Sequence, residues 1–270
     1  MTHYEVFAAC FPELDLCEEA FENMLPISAE NVIERREKDE LIGYAVTEKN
    51  ALRLLCVLPE YQGKGVGSAL LNEAESRLRQ AGAKELIVGG TDSRLFIGAP
   101  EKVKGFFEKR GYPMTDHYDE MTGNLASFRA ADFSLPVPEG VAFGWYHGDF
   151  EKMRQAVAQV DDSWPQYFHE DQPVFCAILN GEIASFCAVD EWENCLLSNG
   201  RNRVGAPGCV GTVPAFRRQG IGLKMVALAC EELKKRGCDT VFIHYTGVAH
   251  WYAKLGFRVF LTQYFCRKRL

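Results

Sequence analysis

Pro59-Glu60-Tyr61-Gln62-Gly63-Lys64-Gly65-Val66-Gly67 returns 155 residues later as Pro214-Ala215-Phe216-Arg217-Arg218-Gln219-Gly220-Ile221-Gly222. The same offset pairs Ala74 with Ala229, Leu78 with Leu233 and Gly82 with Gly237. A second block, Phe107-Glu108-Lys109-Arg110-Gly111-Tyr112, matches Tyr252-Ala253-Lys254-Leu255-Gly256-Phe257 at an offset of 145. One glycine motif arises easily by chance, but two ordered blocks in each half do not, so the chain reads as one unit used twice. The drop in offset places ten extra residues in the first half, around 89–100.

Length and composition agree with two folded units. The chain has 270 residues, 47% of them hydrophobic and 25% charged, which excludes disorder as the dominant state. A net charge of −7 argues against a sequence-independent grip on nucleic acid or an anionic membrane. No run approaches the roughly 18 apolar residues of a membrane helix, and 204–216 reaches only 13 uncharged residues. Met1-Thr2-His3-Tyr4-Glu5 lacks a basic start, so no signal peptide is expected. Ten cysteines stand at irregular spacings without a Cys-x-x-Cys pair, which predicts reduced, mostly buried thiols in a cytoplasmic protein and no metal site.

The halves meet near 130–140, where Pro136, Pro138 and Gly140 break regular structure. This predicts domains at 1–133 and 134–270. Strands are expected at 29–36, 40–47 and 51–57, then a helix over 64–81, a strand at 85–88 and a helix ending near 109. The second half predicts strands at 141–147, 173–179, 182–189, 209–213, 240–245 and 257–265. Its helices are expected at 149–160, 219–236 and 247–255. A helix over 10–25 implies that the first copy starts without an opening strand. The fold class is α/β (α+β), each unit a mixed, mostly antiparallel sheet flanked by helices.

In each copy a strand ends at Pro, a glycine-rich loop follows, and a helix begins, leaving N–H groups unpaired at the helix's positive end. That suits a phosphate. A Walker loop requires Gly-x-x-x-x-Gly-Lys-Ser/Thr, which neither copy has. A dinucleotide fingerprint needs a third small residue where Leu70 and Met225 stand. What remains, Gln62-x-x-Gly65-x-Gly67 and Arg217-x-x-Gly220-x-Gly222, resembles the pyrophosphate loop of the GNAT superfamily of acetyl-CoA-dependent N-acetyltransferases. The aromatic block near each end resembles that superfamily's Tyr-x-x-x-Gly-Phe motif, and the tandem arrangement resembles mycothiol synthase-like proteins.

The resemblance implies acetyl-CoA as co-substrate, a primary amine on a small molecule as acceptor, and direct transfer without a metal. It implies cofactor contacts from Gly211, Thr212, Val213, Arg217, Arg218, Gln219, Gly220, Ile221 and Gly222. In the first copy the corresponding positions are Val57, Gln62, Gly63, Lys64, Gly65 and Gly67. Backbone N–H groups at 211–213 and 56–58 would hold the acetyl carbonyl. The family's usual thiolate donor is the motif tyrosine, here Tyr252 in the second copy but Phe107 in the first, and a phenyl ring gives up no proton. The second copy is therefore expected to be catalytic and the first degenerate. For the base, Asp190, Glu191, Glu193 and His244 are candidates, with Glu191 and His244 foremost. Asp162 and Trp164 are candidates for holding a cationic amine, although a capped turn with a core aromatic explains that segment equally well. Cys209 reads as a packing residue rather than an acyl carrier, and Arg267-Lys268-Arg269 as a solvated end. The alternatives are a non-catalytic acetyl-CoA sensor or scaffold, and catalysis in the first copy.

Overall fold

A computed structural model of the chain describes every residue except 90–97, 194, 196 and 200. The insert expected around 89–100 therefore lies largely outside the described residues. The chain forms two compact units, Met1–Asp119 with Phe260–Leu270, and Glu120–Val259. Both are mixed, mostly antiparallel α/β units.

The first unit opens with α1 (His3–Cys10), whose start carries a reciprocal cap between Thr2 and Glu5. The single helix expected over 10–25 is instead broken. Pro12 opens a 3-10 turn, Asp15 takes a left-handed φ of 42°, and α2 runs over Glu18–Met24. Proline has no N–H for a continuing helix and clashes with the preceding turn, which is why the break falls there. The strands β1 (Val32–Glu37), β2 (Glu40–Glu48) and β3 (Ala51–Val57) follow as an antiparallel meander. Next come α3 (Val66–Gln80) and β4 (Glu85–Val88), the latter parallel to β3. Leu70, Leu71, Ala74 and Leu78 of α3 are buried against Leu52, Val57, Leu86 and Val88. Each such leucine contributes roughly 1.5–3 kcal/mol of burial. The short β5 (Ala99–Pro100) and α4 (Lys104–Glu108) lead into β6 (Asp116–Asn124), a strand the sequence pattern did not signal.

The second unit holds β7 (Ala142–Trp145), α5 (Phe150–Ala158), β8 (Val174–Leu179) and β9 (Glu182–Asp190). These are followed by β10 (Val204–Thr212), α6 (Ile221–Lys235), β11 (Thr240–Thr246), α7 (Ala249–Tyr252) with a 3-10 turn, and β12 (Arg258–Arg269). Strands β7 to β10 pair antiparallel, and β10 pairs parallel with β11. One face of this sheet packs on α6 and α7 through residues such as Met225, Cys230, Ile243 and Leu255. The other face packs on α5 through Met153, Val157, Phe168 and Phe186. The last strand, β12, pairs antiparallel with β4 through Cys266↔Val88 and neighbouring residues, so the C-terminal segment completes the first unit's sheet. No helix among the described residues is long and apolar enough to cross a membrane.

Candidate functional site

In each unit the parallel pair is short. Strands β3 and β4 pair only at Ala51↔Ile87 and Leu52↔Val88, and β10 and β11 only at Val204↔Thr240 and Gly205↔Val241. Among the described residues neither pair extends further, and in each unit the glycine loop and the start of the following helix line a gap. The gap in the first unit is a cleft of about 500 Å³ and that in the second about 440 Å³.

Strands β3 and β10 carry bulges. In β3 the register with β2 shifts beside Arg53, and in β10 the register with β9 shifts between Gly208 and Gly211, where Cys209 has φ 46°. The Val213 N–H is bonded to the Ala184 carbonyl and the Leu58 N–H to the Ile42 carbonyl. Because bonding direction alternates along a strand, the preceding N–H groups, those of Thr212 and Val57, turn toward the cleft. The carbonyl of Thr212 accepts from Arg217 Nε at 2.9 Å, and that of Val57 accepts from Gln62 Nε2 at 2.9 Å. The Gln/Arg that opens each loop thus ties the loop back to its strand.

Both helices begin with a left-handed glycine, Gly65 (φ 86°) before α3 and Gly220 (φ 80°) before α6. A Cβ on Gly65 would meet nothing within 4 Å, whereas one on Gly220 would lie 2.2 Å from the Pro136 carbonyl oxygen. A Cβ on Gly222 would lie 2.5 Å from Thr212 Oγ1. The loops leave N–H groups and open backbone at the positive end of a 15-residue helix, and that fits an elongated ligand bearing phosphate.

The second cleft is lined by Gly211, Thr212, Arg217, Arg218, Gly220, Ile221 and Gly222, together with His250, Trp251 and Tyr252. Val213 and Gln219 do not line it. Tyr252 is 5% exposed and makes no hydrogen bond to a described residue. Burial, and then the neighbouring Cys187, Cys230 and Cys209 thiols, raise its phenol well above the ordinary value near 10. The first cleft is lined by Val57, Gln62, Gly63, Gly65 and Gly67, with Phe107 buried on its wall. Lys64 instead stands 5.2 Å over the Tyr61 ring.

His244, on β11 beyond the last residue paired with β10, places Nδ1 2.9 Å from Glu120 Oε2. Glu120 is fully buried on β6, and the same oxygen accepts the Tyr245 N–H at 3.2 Å. An ionised carboxylate only accepts, so in this contact the ring donates through Nδ1. No sequence signal marked Glu120, which lies 124 residues from its partner. Glu191 is in an ion pair with Arg236 at the end of α6 and does not line the cleft. Asp162 is exposed, and Trp164 packs partly buried beside Phe168 and Val213. Asp161 closes the turn by accepting from the Ser163 N–H at 2.8 Å and hydroxyl at 2.6 Å. Asp162, Trp164 and His244 likewise stand outside the cleft lining. Burial pushes the Cys209 thiol up to about 11, so it is a poor nucleophile near neutrality.

Comparison with known proteins accords with this geometry. A family profile described as the acetyltransferase (GNAT) domain matches residues 3–126, and one described as the acetyltransferase (GNAT) family matches 142–257. Among solved structures, the chain resembles a GCN5-related glucosamine N-acetyltransferase region of a fungal multi-domain GH3 β-N-acetylglucosaminidase. The identity is 20% and the TM-score 0.74, with 98% of this chain covered but only 36% of that one. The chain thus spans about a third of that protein's length. A GCN5-related N-acetyltransferase from Sphaerobacter thermophilus matches at 18% identity and TM-score 0.71, covering 98% and 90% of the two chains. A tandem GNAT protein from the clavulanic acid biosynthesis pathway matches at 14% and 0.62, covering 99% and 96%.

Proposed function

Because this chain belongs to the GNAT family of acetyl-CoA-dependent N-acetyltransferases, with one copy in each half, we propose that its second copy transfers the acetyl group to a primary amine of a small molecule. The observation that carries this reading is Tyr252, a protonated phenol on the wall of a cleft whose far end is an intact glycine loop.

Acetyl-CoA supplies the thioester, and the chain supplies position and protons. The N–H groups of the loop and of the first turn of α6 hold the pyrophosphate, with Arg217 and Arg218 adding charge. The Thr212 N–H donates to the carbonyl oxygen where negative charge develops. Ser185 keeps this part of β10 in place, donating to the Gly211 carbonyl at 2.6 Å and contacting Thr212 Oγ1 at 3.1 Å. An amine with pKa near 10 must lose a proton before it attacks, and His244 Nε2, oriented by Glu120, takes it directly or through water. Glu191 is the weaker choice, because its carboxylate is already committed to Arg236. Tyr252 returns a proton to the departing thiolate. Asp162 and Trp164, outside the cleft lining, are the weaker candidates for the acceptor side.

The repeats at 1–133 and 134–270 then divide the work, with the first copy binding through Val57 and the 62–67 loop and Phe107 supplying no acid. Ten free thiols support a reducing, cytoplasmic setting. The test is thiol release from acetyl-CoA across amines, amino sugars and amino acids with Tyr252→Phe. Turnover is expected to fall by about 10²-fold or more with acetyl-CoA affinity nearly unchanged. Equal turnover in the variant would remove Tyr252 from the reaction, and no release with any acceptor despite tight binding would favour a sensor.

A further inference from the structure

The first unit's cleft contains a charged group that is not among the contacts proposed for acetyl-CoA. Arg53, at the bulge of β3, lines the cleft with only 6% of its side chain exposed. Its Nη1 donates to Glu48 Oε2 at 2.5 Å, and that carboxylate is about half exposed. Its Nε is buried and has no hydrogen-bond partner among the described residues. Nη2 likewise makes no hydrogen bond to a described residue. A guanidinium held this way has Nη1 paired and Nε buried without a partner, and burying an N–H group without a partner is costly.

Three further observations point to what completes it. The described lining of this cleft includes Arg53, Lys102 and Lys109 but neither aspartate nor glutamate. Arg53 stands four residues before Val57 on β3, which at about 3.3 Å per residue is about 13 Å from the strand end that leads to the glycine loop. A pyrophosphate at the loop cannot reach it, so only the other end of a long ligand, or a second ligand beside that end, can. Finally, the position 155 residues on is Gly208, so the second copy has no cation there. The feature belongs to the first copy alone.

We infer that Arg53 forms a carboxylate subsite in the N-terminal cleft, receiving an anionic group through the Nε–Nη2 edge of its guanidinium in a two-point contact. The carboxylate belongs either to an acyl chain ending in an acid and long enough to run about 13 Å from the Val57 end of β3, or to an amino-acid-like molecule lying in the cleft beyond the thiol end of CoA. The chemistry is the same in both cases. Gln263 of β12 is buried and lines the same cleft. The inference concerns binding and requires no turnover, so it stands or falls separately from the role of Tyr252.

Calorimetric titration of the full chain with two probe pairs tests it: the CoA monothioester of a long-chain dicarboxylic acid against the thioester of the matching monocarboxylic acid, and N-acetylglycine against N-acetylglycinamide with CoA saturating. At least one carboxylate member is expected to bind about tenfold more tightly than its neutral partner, and the pair that shows this identifies the source. Arg53→Gln should abolish the preference while leaving the neutral member's affinity unchanged. Glu48→Gln, which keeps an amide oxygen able to accept from Nη1 while removing the competing charge at a half-exposed position, should enlarge the preference. No preference in either pair, or a preference that Arg53→Gln retains, overturns the inference. If Arg53→Gln does not fold, Glu48→Gln decides alone, and an unchanged preference overturns it.

Discussion

A single hydroxyl distinguishes Tyr252 from Phe107, and both rings are buried on cleft walls. Burial and then the neighbouring thiols raise the Tyr252 phenol, so it stays protonated across the neutral and mildly alkaline range. Loss of activity attributable to this group should therefore begin only above about pH 10. A pH–rate profile with an alkaline limb near pH 8 that Tyr252→Phe abolishes would contradict this. The two capping glycines make a sharper contrast. Gly65→Ala pays only for a left-handed φ in open space, about 1 kcal/mol. Gly220→Ala adds a contact of 2.2 Å with the Pro136 carbonyl and should cost about 2–4 kcal/mol by urea denaturation. Equal losses at the two sites would mean that the 133–137 segment yields freely. The glycines themselves were legible in the sequence, but the unequal space around them was not, because Pro136 reaches Gly220 only in the folded chain.

Among the elements, β12 carries the most consequence. Lys268 on this strand donates to Glu75 of α3 at 2.8 Å, and Tyr112 donates to the same carboxylate oxygen at 2.8 Å. Burial raises the Glu75 pKa, but the Lys268 and Tyr112 hydrogen bonds outweigh it and hold it below the usual carboxylate value. A carboxylate depressed in the folded state contributes stability above its unfolded pKa and loses it as pH falls through the folded value. Lys268→Ala should therefore destabilise by about 1–3 kcal/mol at pH 7, and the deficit should shrink as the pH falls below about 4. A deficit that is the same at pH 7 and pH 3 would show that packing, not charge, was lost. Read as sequence, Arg267-Lys268-Arg269 is a solvated cationic end. Lys268 is not, since its stem and charge are enclosed by a helix 193 residues away. By contrast, α3, β3 and β4 match their sequence-derived spans closely, because local periodicity, Gly82 and the Pro59 turn are all short-range signals. The helix expected over 10–25 failed because Pro12 outweighed the apolar pattern.

At the scale of the whole molecule, the repeat and the compact unit are different objects. Residues Phe260–Leu270 follow the second repeat's terminal motif yet fold into the first unit as the neighbour of β4. Truncation after Val259 should therefore remove a strand from the first unit. Hydrogen exchange is expected to show lost protection in α3 and β4, far away in sequence, and unchanged protection there would refute the assignment. Glu120 makes the converse journey, lying within the first repeat but pairing with His244 inside the second unit. The sequence by itself determined the two copies, the glycine loops, the family they resemble and the Tyr252/Phe107 asymmetry, because each rests on short motifs that can be read locally and matched between the halves. Only the tertiary structure decided that Glu120 orients His244, that Glu191 is committed to Arg236, and that Arg53 faces a cleft with part of its guanidinium unpaired. Those depend on contacts between strands and helices distant in sequence, and pairing of that kind leaves no local periodicity to read.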